Sequence, residues 1–343
     1  MNLTALETTA RALVAAGKGI LAADESQGTI EKRFKSVGAE CTEGNRRAYR
    51  KLLFTAPGLG EFISGVILFE ETLRQTAADG TPLVEVLTRQ GIIPGIKVDK
   101  GVKALAGFPG EKITEGLDGL RERLAEYARL GARFSKWRAV IGIGTDIPTR
   151  TGLAAHAYGL ARFAALSQEA GLVPIVEPEV LMDGGHTIER HYEVTEAILN
   201  LVFQALFDHR VRLEAMLLKP NMVLAGTECP QPAGVAQVAE MTLRCALRTV
   251  PAAVPGLVFL SGGQSDALAT EHLNALNRAG RAPWELSFSF GRALQAPALK
   301  AWRGQAANVS AAQAALLQRA RCNAAARSGN YSAAMETAAQ APA

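Results

Sequence analysis

The chain has 343 residues, of which 48% are hydrophobic, and a formal net charge of only +4, so it can bury a large core. Its 37 lysines and arginines are spread along the chain, which argues against nucleic-acid binding, although the mild basicity suits a small anionic substrate. No apolar stretch approaches the ~18 residues of a membrane span, which argues against a membrane protein.

The elements that follow along the chain alternate between helix and strand patterns. Apolar residues at helical spacing predict a first helix over residues 4–16, and the apolar run 19–23 predicts a buried strand. After helices over 30–36 and 45–54, further strands are predicted at residues 62–69, 92–98, 132–138, 173–179, 215–218, 257–263 and 286–292. Helices are predicted at residues 82–89, 117–130, 151–170, 188–208, 232–250 and 265–279, with more helix beyond 292.

This alternation predicts parallel pairing of the strands through crossover helices. About eight such units in a chain of this length close most naturally into an eight-fold β/α (TIM) barrel. A doubly wound open sheet is the alternative, but it usually has a glycine-rich turn after its first strand, which is missing here. We therefore predict a single α/β barrel domain over residues 1–330, with a C-terminal helix and a flexible tail over 331–343.

The cysteines and the N-terminus bear on the compartment. Cys41, Cys229, Cys245 and Cys322 are far apart and form no C-x-x-C pair, which predicts free thiols in a reducing compartment. Residues 1–17 lack the charged head and apolar run of a secretory signal. We therefore expect a cytoplasmic protein.

Lys219 follows the apolar run 215–218 and precedes Pro220. Because proline cannot donate to a strand ladder and disfavours helix in the preceding residue, we expect Lys219 at the last rung of a buried strand. Burying an ammonium group is costly, which favours the neutral amine, and a neutral amine attacks carbonyls as in Schiff-base enzymes. The alternative is a strand-end lysine that reaches out to solvent.

Nearly every predicted strand ends in a charged or small polar residue. In a TIM barrel these ends share one mouth, where catalysis occurs, so we expect the side chains to converge there. Taken singly, each could simply be solvated. The residues are Asp24, Lys97, Lys136, Arg138, Glu177, Glu179, Lys219, Ser261, Ser289 and Arg292.

Two pairs within this set indicate proton chemistry. Lys136 lies on a strand that can bring it close to Lys219, and neighbouring cations resist protonation. Glu177 and Glu179 are two residues apart, so in a regular strand they share a face. One carboxylate beside lysines stays ionised, while a second can be brought into the range of proton transfer. The alternative is a set of ion pairs with no catalytic role.

Glycines near the last two strands predict an anion site. Ser261, Gly262 and Gly263 follow one strand, and Gly291 precedes Arg292 after the next. Loops at these positions of TIM barrels often bind phosphate through backbone N–H groups and a helix N-terminus. Near the first strand, Arg33 and Arg46 could take a second anionic group.

Histidine spacing does not favour a metal. His186 and His191 flank Glu189, but they do not have the i, i+4 spacing of a helical zinc pair, and the other histidines are isolated. We predict neither a catalytic metal nor a cofactor.

Taken together, these motifs resemble those of class I fructose-bisphosphate aldolases over about residues 4–331. The matching segments read GILAADES, GIKVDKG, KWR, VEPE, LLKPNM, LSGGQ and SFGRALQ, at residues 19–26, 95–101, 136–138, 176–179, 217–222, 260–264 and 289–295. The chain departs from the animal-type pattern at Phe290, where tyrosine is usual, and it has no terminal tyrosine, since Tyr331 is the last.

The resemblance implies roles for individual residues. Lys219 is similar to the Schiff-base lysine, Glu177 to the acid/base that dehydrates the carbinolamine, and Asp24 to the group that takes the C4-hydroxyl proton. Glu179 neighbours this acid/base, and Lys136 neighbours the nucleophile. The implied substrate contacts are Lys97 and Arg138, then Ser261, Gly262, Gly263, Ser289, Gly291 and Arg292 at one phosphate, and Ser26, Thr29, Arg33 and Arg46 at the other.

The resemblance implies a glycolytic and gluconeogenic enzyme, usually a homotetramer. It would reversibly cleave fructose 1,6-bisphosphate to dihydroxyacetone phosphate and glyceraldehyde 3-phosphate, without nucleic-acid or membrane partners. One alternative is another Schiff-base lyase that acts on a different phosphosugar, against which the two expected phosphate sites argue. The other is a non-catalytic barrel, which would be expected to lose Lys219 or Glu177, and both are present. The preference between fructose 1,6-bisphosphate and fructose 1-phosphate stays open.

Overall fold

The computed structural model describes residues 2–280 and 282–337 and contains a closed barrel of parallel strands surrounded by helices. The strands are β1 (Gly19–Ala23), β2 (Ile63–Leu68), β3 (Ile93–Lys97), β4 (Val102–Ala104), β5 (Lys112–Thr114), β6 (Phe134–Ile141), β7 (Val173–Val180), β8 (Leu217–Leu218), β9 (Gly256–Phe259) and β10 (Glu285–Phe290). The helices are α1 (Leu3–Leu13), α2 (Gln27–Lys35), α3 (Glu43–Phe54), α4 (Glu70–Arg74), α5 (Leu83–Thr88), α6 (Leu120–Arg129), α7 (Arg150–Glu169), α8 (Ile188–Asp208), α9 (Val235–Thr249), α10 (Asp266–Arg278), α11 (Arg292–Trp302), α12 (Val309–Arg327) and α13 (Ala334–Thr337).

The barrel runs in the order β1-β10-β9-β8-β7-β6-β3-β2 and closes where β2 pairs with β1. All of these pairings are parallel, as crossover helices require. The predicted eight-stranded TIM barrel is therefore confirmed. The antiparallel hairpin of β4 and β5 was not predicted, because each strand has only three residues and most of them are exposed.

Alternation along the strands separates two apolar clusters. Inside the barrel, Phe134 and Val173 begin β6 and β7 and pack in one cluster with Leu6 and Leu13 of α1. Helix α1 therefore closes the amino-terminal end of the barrel. The outward residues pack under the surrounding helices, where Trp137 stacks on Phe163 of α7 with ring centroids 5.8 Å apart. With one end closed by apolar side chains, polar groups inside the barrel are confined to the carboxyl-terminal end.

Only β1 has the predicted bounds, and β9 ends at Phe259, four residues before its predicted end. β6 and β7 continue past the predicted ends because buried apolar residues, among them Ile141 and Val180, follow the charged ones. β8 is shorter, since Leu213–Ala215 forms a 3₁₀ turn. Lys219 follows β8 and still takes part in the ladder, because its N–H donates to the carbonyl of Val176 at 2.8 Å.

The chain after α12 packs back onto that helix. Tyr331 donates from its hydroxyl to Glu336 at 2.8 Å, and Glu336, in α13, pairs with Arg319 of α12. Residues 338–343 of the tail predicted from the sequence lie outside the described residues. Within the described ranges, no helix is long and apolar enough to cross a membrane.

Candidate active site

A cavity of about 540 Å³ opens at the carboxyl-terminal mouth of the barrel. Residues from every barrel strand except β2, or from the loops that follow them, reach its wall, as expected for a shared mouth. Most of the site residues predicted from the sequence line it: Asp24, Ser26, Thr29, Arg33, Lys97, Lys136, Arg138, Glu177, Glu179, Lys219, Ser261, Gly262, Ser289, Gly291 and Arg292.

On the floor of this cavity, four charged groups form one continuous chain. The Nζ of Lys219 lies 3.1 Å from Oε1 of Glu177, and the Nζ of Lys136 lies 3.3 Å from Oε2 of the same carboxylate. Lys136 then reaches Oδ2 of Asp24 at 2.7 Å. The side chains of Lys136, Glu177 and Lys219 are at most 5% exposed. Each buried charge thus faces an opposite charge, which burial requires.

The strands explain this placement. Lys136 and Glu177 lie inside β6 and β7 rather than at their ends, but they occupy inward positions. Phe134 and Lys136 are two residues apart, and so are Ile175 and Glu177, so each apolar floor residue is followed on the same face by a charged one. The prediction that these side chains converge is confirmed; their predicted place at the strand ends is wrong.

The opposite charges of these four side chains fix their protonation states. Burial by itself raises the pKa of Glu177, but the charges of Lys136 and Lys219 outweigh burial and lower it. The same balance holds the pKa of Asp24 well below its usual range. Burial acts to lower the pKa of Lys136, yet the carboxylates of Asp24 and Glu177 raise it. The expectation that neighbouring cations would hinder protonation is therefore wrong for Lys136, because it contacts two carboxylates, Glu177 between the two lysines and Asp24 on its other side.

A second layer of ion pairs lies closer to the mouth. Arg138 pairs with Glu179, and the Nζ of Lys97 lies 3.3 Å from Oδ1 of Asp99. Asp99 lines the cavity but was not among the predicted site residues. Its position two residues after Lys97, in the loop after β3, was the available signal. This layer surrounds the substrate space with groups that can bind hydroxyls.

The loop after β9 and the start of α11 form one end of the cavity. At Gly262 an added Cβ would lie 2.7 Å from Cε of Met182, so this flexible side chain would have to move. Gly263, with φ of +72°, makes the turn without lining the cavity. The hydroxyl of Ser289 is buried without a hydrogen-bond partner, and α11 begins after Gly291 with no side-chain cap. Free N–H groups at a helix N-terminus and an unpaired hydroxyl suit a phosphate.

A second group of candidate residues lies around Arg33, whose Nη2 is 4.0 Å from the position that a Cβ on Gly291 would take. Its guanidinium pairs with Glu25, whose second oxygen lies 2.6 Å from the buried Arg50. Ser26 and Thr29 stand beside it, with hydroxyl oxygens 3.1 Å apart. Glu25 and Arg50 were missed as part of the site, since nothing in the sequence shows that residues 25 apart would pair. Arg33 therefore lines the cavity with its guanidinium already oriented by Glu25.

Arg46 is not brought to this site. Its guanidinium donates to both carboxylate oxygens of Glu71, at 2.8 and 2.6 Å, and it does not line the cavity. The bidentate pair holds it between α3 and α4. The expectation that Arg46 takes an anionic group is therefore wrong for this structure. In the part of the chain that the structure describes, no group of three or more His, Cys, Asp or Glu residues is arranged to hold a metal ion.

Comparison with known proteins identifies relatives over nearly the whole chain. The model of the family described as Glycolytic, Fructose-bisphosphate aldolase class-I, matches residues 5–343. A probable fructose-bisphosphate aldolase class 1 from Xanthomonas axonopodis pv. citri is 56% identical over 96% of this chain and 99% of its own. The cytoplasmic isozyme of fructose-bisphosphate aldolase from Cicer arietinum is 57% identical over 92% of this chain and 88% of its own.

A solved structure shows the same fold. It is fructose-bisphosphate aldolase from Plasmodium falciparum in complex with TRAP and a small-molecule inhibitor. It is 53% identical, covers 96% of each chain and has a TM-score of 0.95. The similarity thus extends over the whole barrel and includes all of the strands that carry the charged floor.

Proposed function

Because the chain belongs to the class I fructose-bisphosphate aldolase family, we propose that it reversibly cleaves fructose 1,6-bisphosphate through a Schiff base on Lys219. The products are dihydroxyacetone phosphate and glyceraldehyde 3-phosphate, which places the reaction in glycolysis and gluconeogenesis. The observation that supports this proposal best is the row of charged groups from Lys219 to Asp24, on the floor of a cavity that arginine and serine side chains also line.

The first step is attack of the Lys219 amine on the C2 carbonyl. Glu177, 3.1 Å from Nζ, takes a proton from the lysine ammonium and so releases the nucleophile. The carbinolamine then loses its hydroxyl as water when the same carboxyl group returns that proton. Since Lys136 holds the second oxygen of Glu177, the carboxyl group stays oriented while its protonation changes.

The second step is cleavage of the C3–C4 bond. The iminium at C2 draws the electron pair of this bond, so the electron sink is part of the protein itself and a metal is not needed for the step. Asp24 takes the proton of the C4 hydroxyl as the aldehyde forms. Its pairing with Lys136 keeps it ionised in the free protein, so it is in the form that accepts a proton.

Two groups of residues in the cavity wall hold the two phosphates. Arg292 with Ser289 and the start of α11 binds the phosphate on C1, nearest to the Schiff-base carbon. Arg33 binds the phosphate on C6, with help from Ser26 and Thr29. Charge-assisted contacts at both ends fix the scissile bond over Asp24.

A trapping experiment tests the proposal. Borohydride with dihydroxyacetone phosphate should inactivate the protein and leave one adduct, which peptide mass mapping places on Lys219. The matched variants are Lys219→Arg, which keeps the charge but lacks the amine nucleophile, and Lys136→Arg, which leaves Lys219 in place. Only the first should lose the adduct. An adduct on Lys136, or loss of cleavage in excess EDTA with recovery on adding zinc, would contradict the proposal.

We extend the proposal to assembly and location. The family resemblance supports a homotetramer. The names of two relatives, which are cytoplasmic and cytosolic forms, support a location in the cytoplasm. Light scattering coupled to gel filtration should give about four times the monomer mass of 36.3 kDa. A monomer at micromolar concentration would contradict the assembly without affecting the proposed chemistry.

A further inference from the structure

Arg292, which lines the mouth of the cavity, is already engaged by the protein itself. Its Nη1 lies 3.7 Å from Oδ1 of Asp266, and its Nη2 donates to the carbonyl of Gln264. Asp266 is the first residue of α10 and does not line the cavity. The carboxylate therefore draws the guanidinium toward α10, away from the space that a phosphate would occupy.

Asp266 and Gln264 each make a further hydrogen bond to another residue. The carbonyl of Asp266 accepts from Nη2 of Arg319 at 2.9 Å, and Arg319 is buried in α12. The side chain of Gln264 is bound by Nδ1 of His272 at 2.6 Å. These contacts anchor the two residues beside Arg292, and the arginine is the more exposed partner, with 48% of its side chain exposed against 24% for Asp266.

The contact between the two charges is weak enough to exchange. A distance of 3.7 Å is longer than a hydrogen bond, and both side chains are partly exposed. Burial raises the pKa of Asp266 above its usual value, and the charge of Arg292 opposes this rise only in part. A phosphate that offers short, bidentate contacts can displace this carboxylate.

We propose that Asp266 is an internal competitor for the phosphate site: its carboxylate holds Arg292 in the unliganded protein and lowers the affinity for a phosphate monoester at this end. The inference rests on the proposed function, because it assumes that Arg292 binds substrate phosphate. Removing the carboxylate frees the arginine and removes a negative charge close to the bound anion. Because ion pairs this exposed are weak, the expected gain in affinity is about two- to fivefold.

The test is binding of glycerol 3-phosphate, measured by calorimetry. This probe has a phosphate monoester but no carbonyl, so it cannot form a Schiff base. The variants are Asp266→Asn and Asp266→Ser, which both remove the charge, Arg292→Ala, and Asp266→Asn with Arg292→Ala. The control is Glu271→Gln, an exposed position of the same helix that changes the net charge equally.

Both Asp266 variants should bind the probe about two- to fivefold more tightly than the parent and than Glu271→Gln, and Asp266→Asn should have no effect once Arg292 is alanine. Equal or weaker binding in both Asp266 variants, the same gain in Glu271→Gln, or a gain that persists without Arg292 would each overturn the proposal. Failure of borohydride trapping at Lys219 would instead contradict the Schiff-base mechanism, because the binding cycle involves no covalent step.

Discussion

Replacing Lys136 by methionine tests whether mutual neutralisation holds the floor of the site together. Methionine keeps the unbranched shape and removes the charge. In the parent, the Nζ of Lys136 touches Asp24 at 2.7 Å and Glu177 at 3.3 Å. After the change, Asp24 has no charged group within contact distance on this side, and burial, which acts to raise its pKa, is opposed only by the more distant Lys219 and Lys97.

The size of the effect follows from burial. Removing one partner of a buried ion pair costs about 3–5 kcal/mol, because the other charge is left uncompensated. The lower end applies, since Asp24 retains some attraction to Lys219 and Lys97 and can take up a proton. At about 2 °C per kcal/mol for a chain of this size, the melting temperature should fall by about 6 °C. Cleavage should fall at least 100-fold, the usual contribution of proton transfer, because Asp24 is no longer held ionised.

Thermal unfolding of a double variant separates this reasoning from a packing defect. Lys136→Met with Asp24→Asn removes both charges, so at least half of the lost melting temperature should return, while cleavage stays low. Lys112→Met, an exposed lysine at the same mouth, should shift the melting temperature by less than about 1 °C. A Lys136→Met protein as stable as the parent, or a double variant as unstable as the sum of its single changes, would refute the reasoning.

Two further predictions concern the phosphate ends and acid stability. With fructose 1-phosphate, Arg292→Ala should weaken binding by about 1.5–3 kcal/mol, and Arg33→Ala should have little effect. Both variants should raise KM for the bisphosphate. If Arg33→Ala weakened binding of fructose 1-phosphate as much as that of the bisphosphate, the assignment of the two phosphate sites would be wrong. Burial lowers the pKa of His272 to about 4 and that of His191 to about 3, from 6.5. As pH falls below 6.5, these histidines bind protons in the unfolded chain but stay neutral in the folded protein. The free energy of unfolding should therefore fall by about 2 kcal/mol per histidine at pH 5. His272→Asn should therefore narrow the difference in melting temperature between pH 7 and pH 5, and an unchanged difference would count against a buried neutral histidine.

Local pattern was enough to predict the strands and the floor of the site. The apolar run before Lys219 and the two-residue spacing of Glu177 and Glu179 are properties of consecutive residues, and a strand converts them directly into position. A TIM barrel then brings all strand ends to one mouth. The fold and the burial of Lys219 could thus be predicted without knowledge of any long-range contact.

Partners distant in sequence could not be predicted in this way. Arg46 and Arg33 look alike in the sequence, yet Glu71 binds the first away from the cavity and Glu25 orients the second within it. The raised pKa of Lys136 likewise depends on carboxylates that only the closed barrel brings near. A charge pattern therefore predicts which residues meet but not how their charges are divided into pairs.

The position of the charged floor also explains why the barrel tolerates it. Successive inward residues of β6 are Phe134, Lys136 and Arg138, so apolar packing at the closed end changes to paired charges toward the mouth. Each cation of β6 meets a carboxylate of β7, Lys136 with Glu177 and Arg138 with Glu179, so the cost of desolvation is offset strand by strand. Removing one partner from such a layer leaves an uncompensated buried charge. The arrangement that supplies a proton acceptor beside Lys219 is therefore also sensitive to the loss of a single charge.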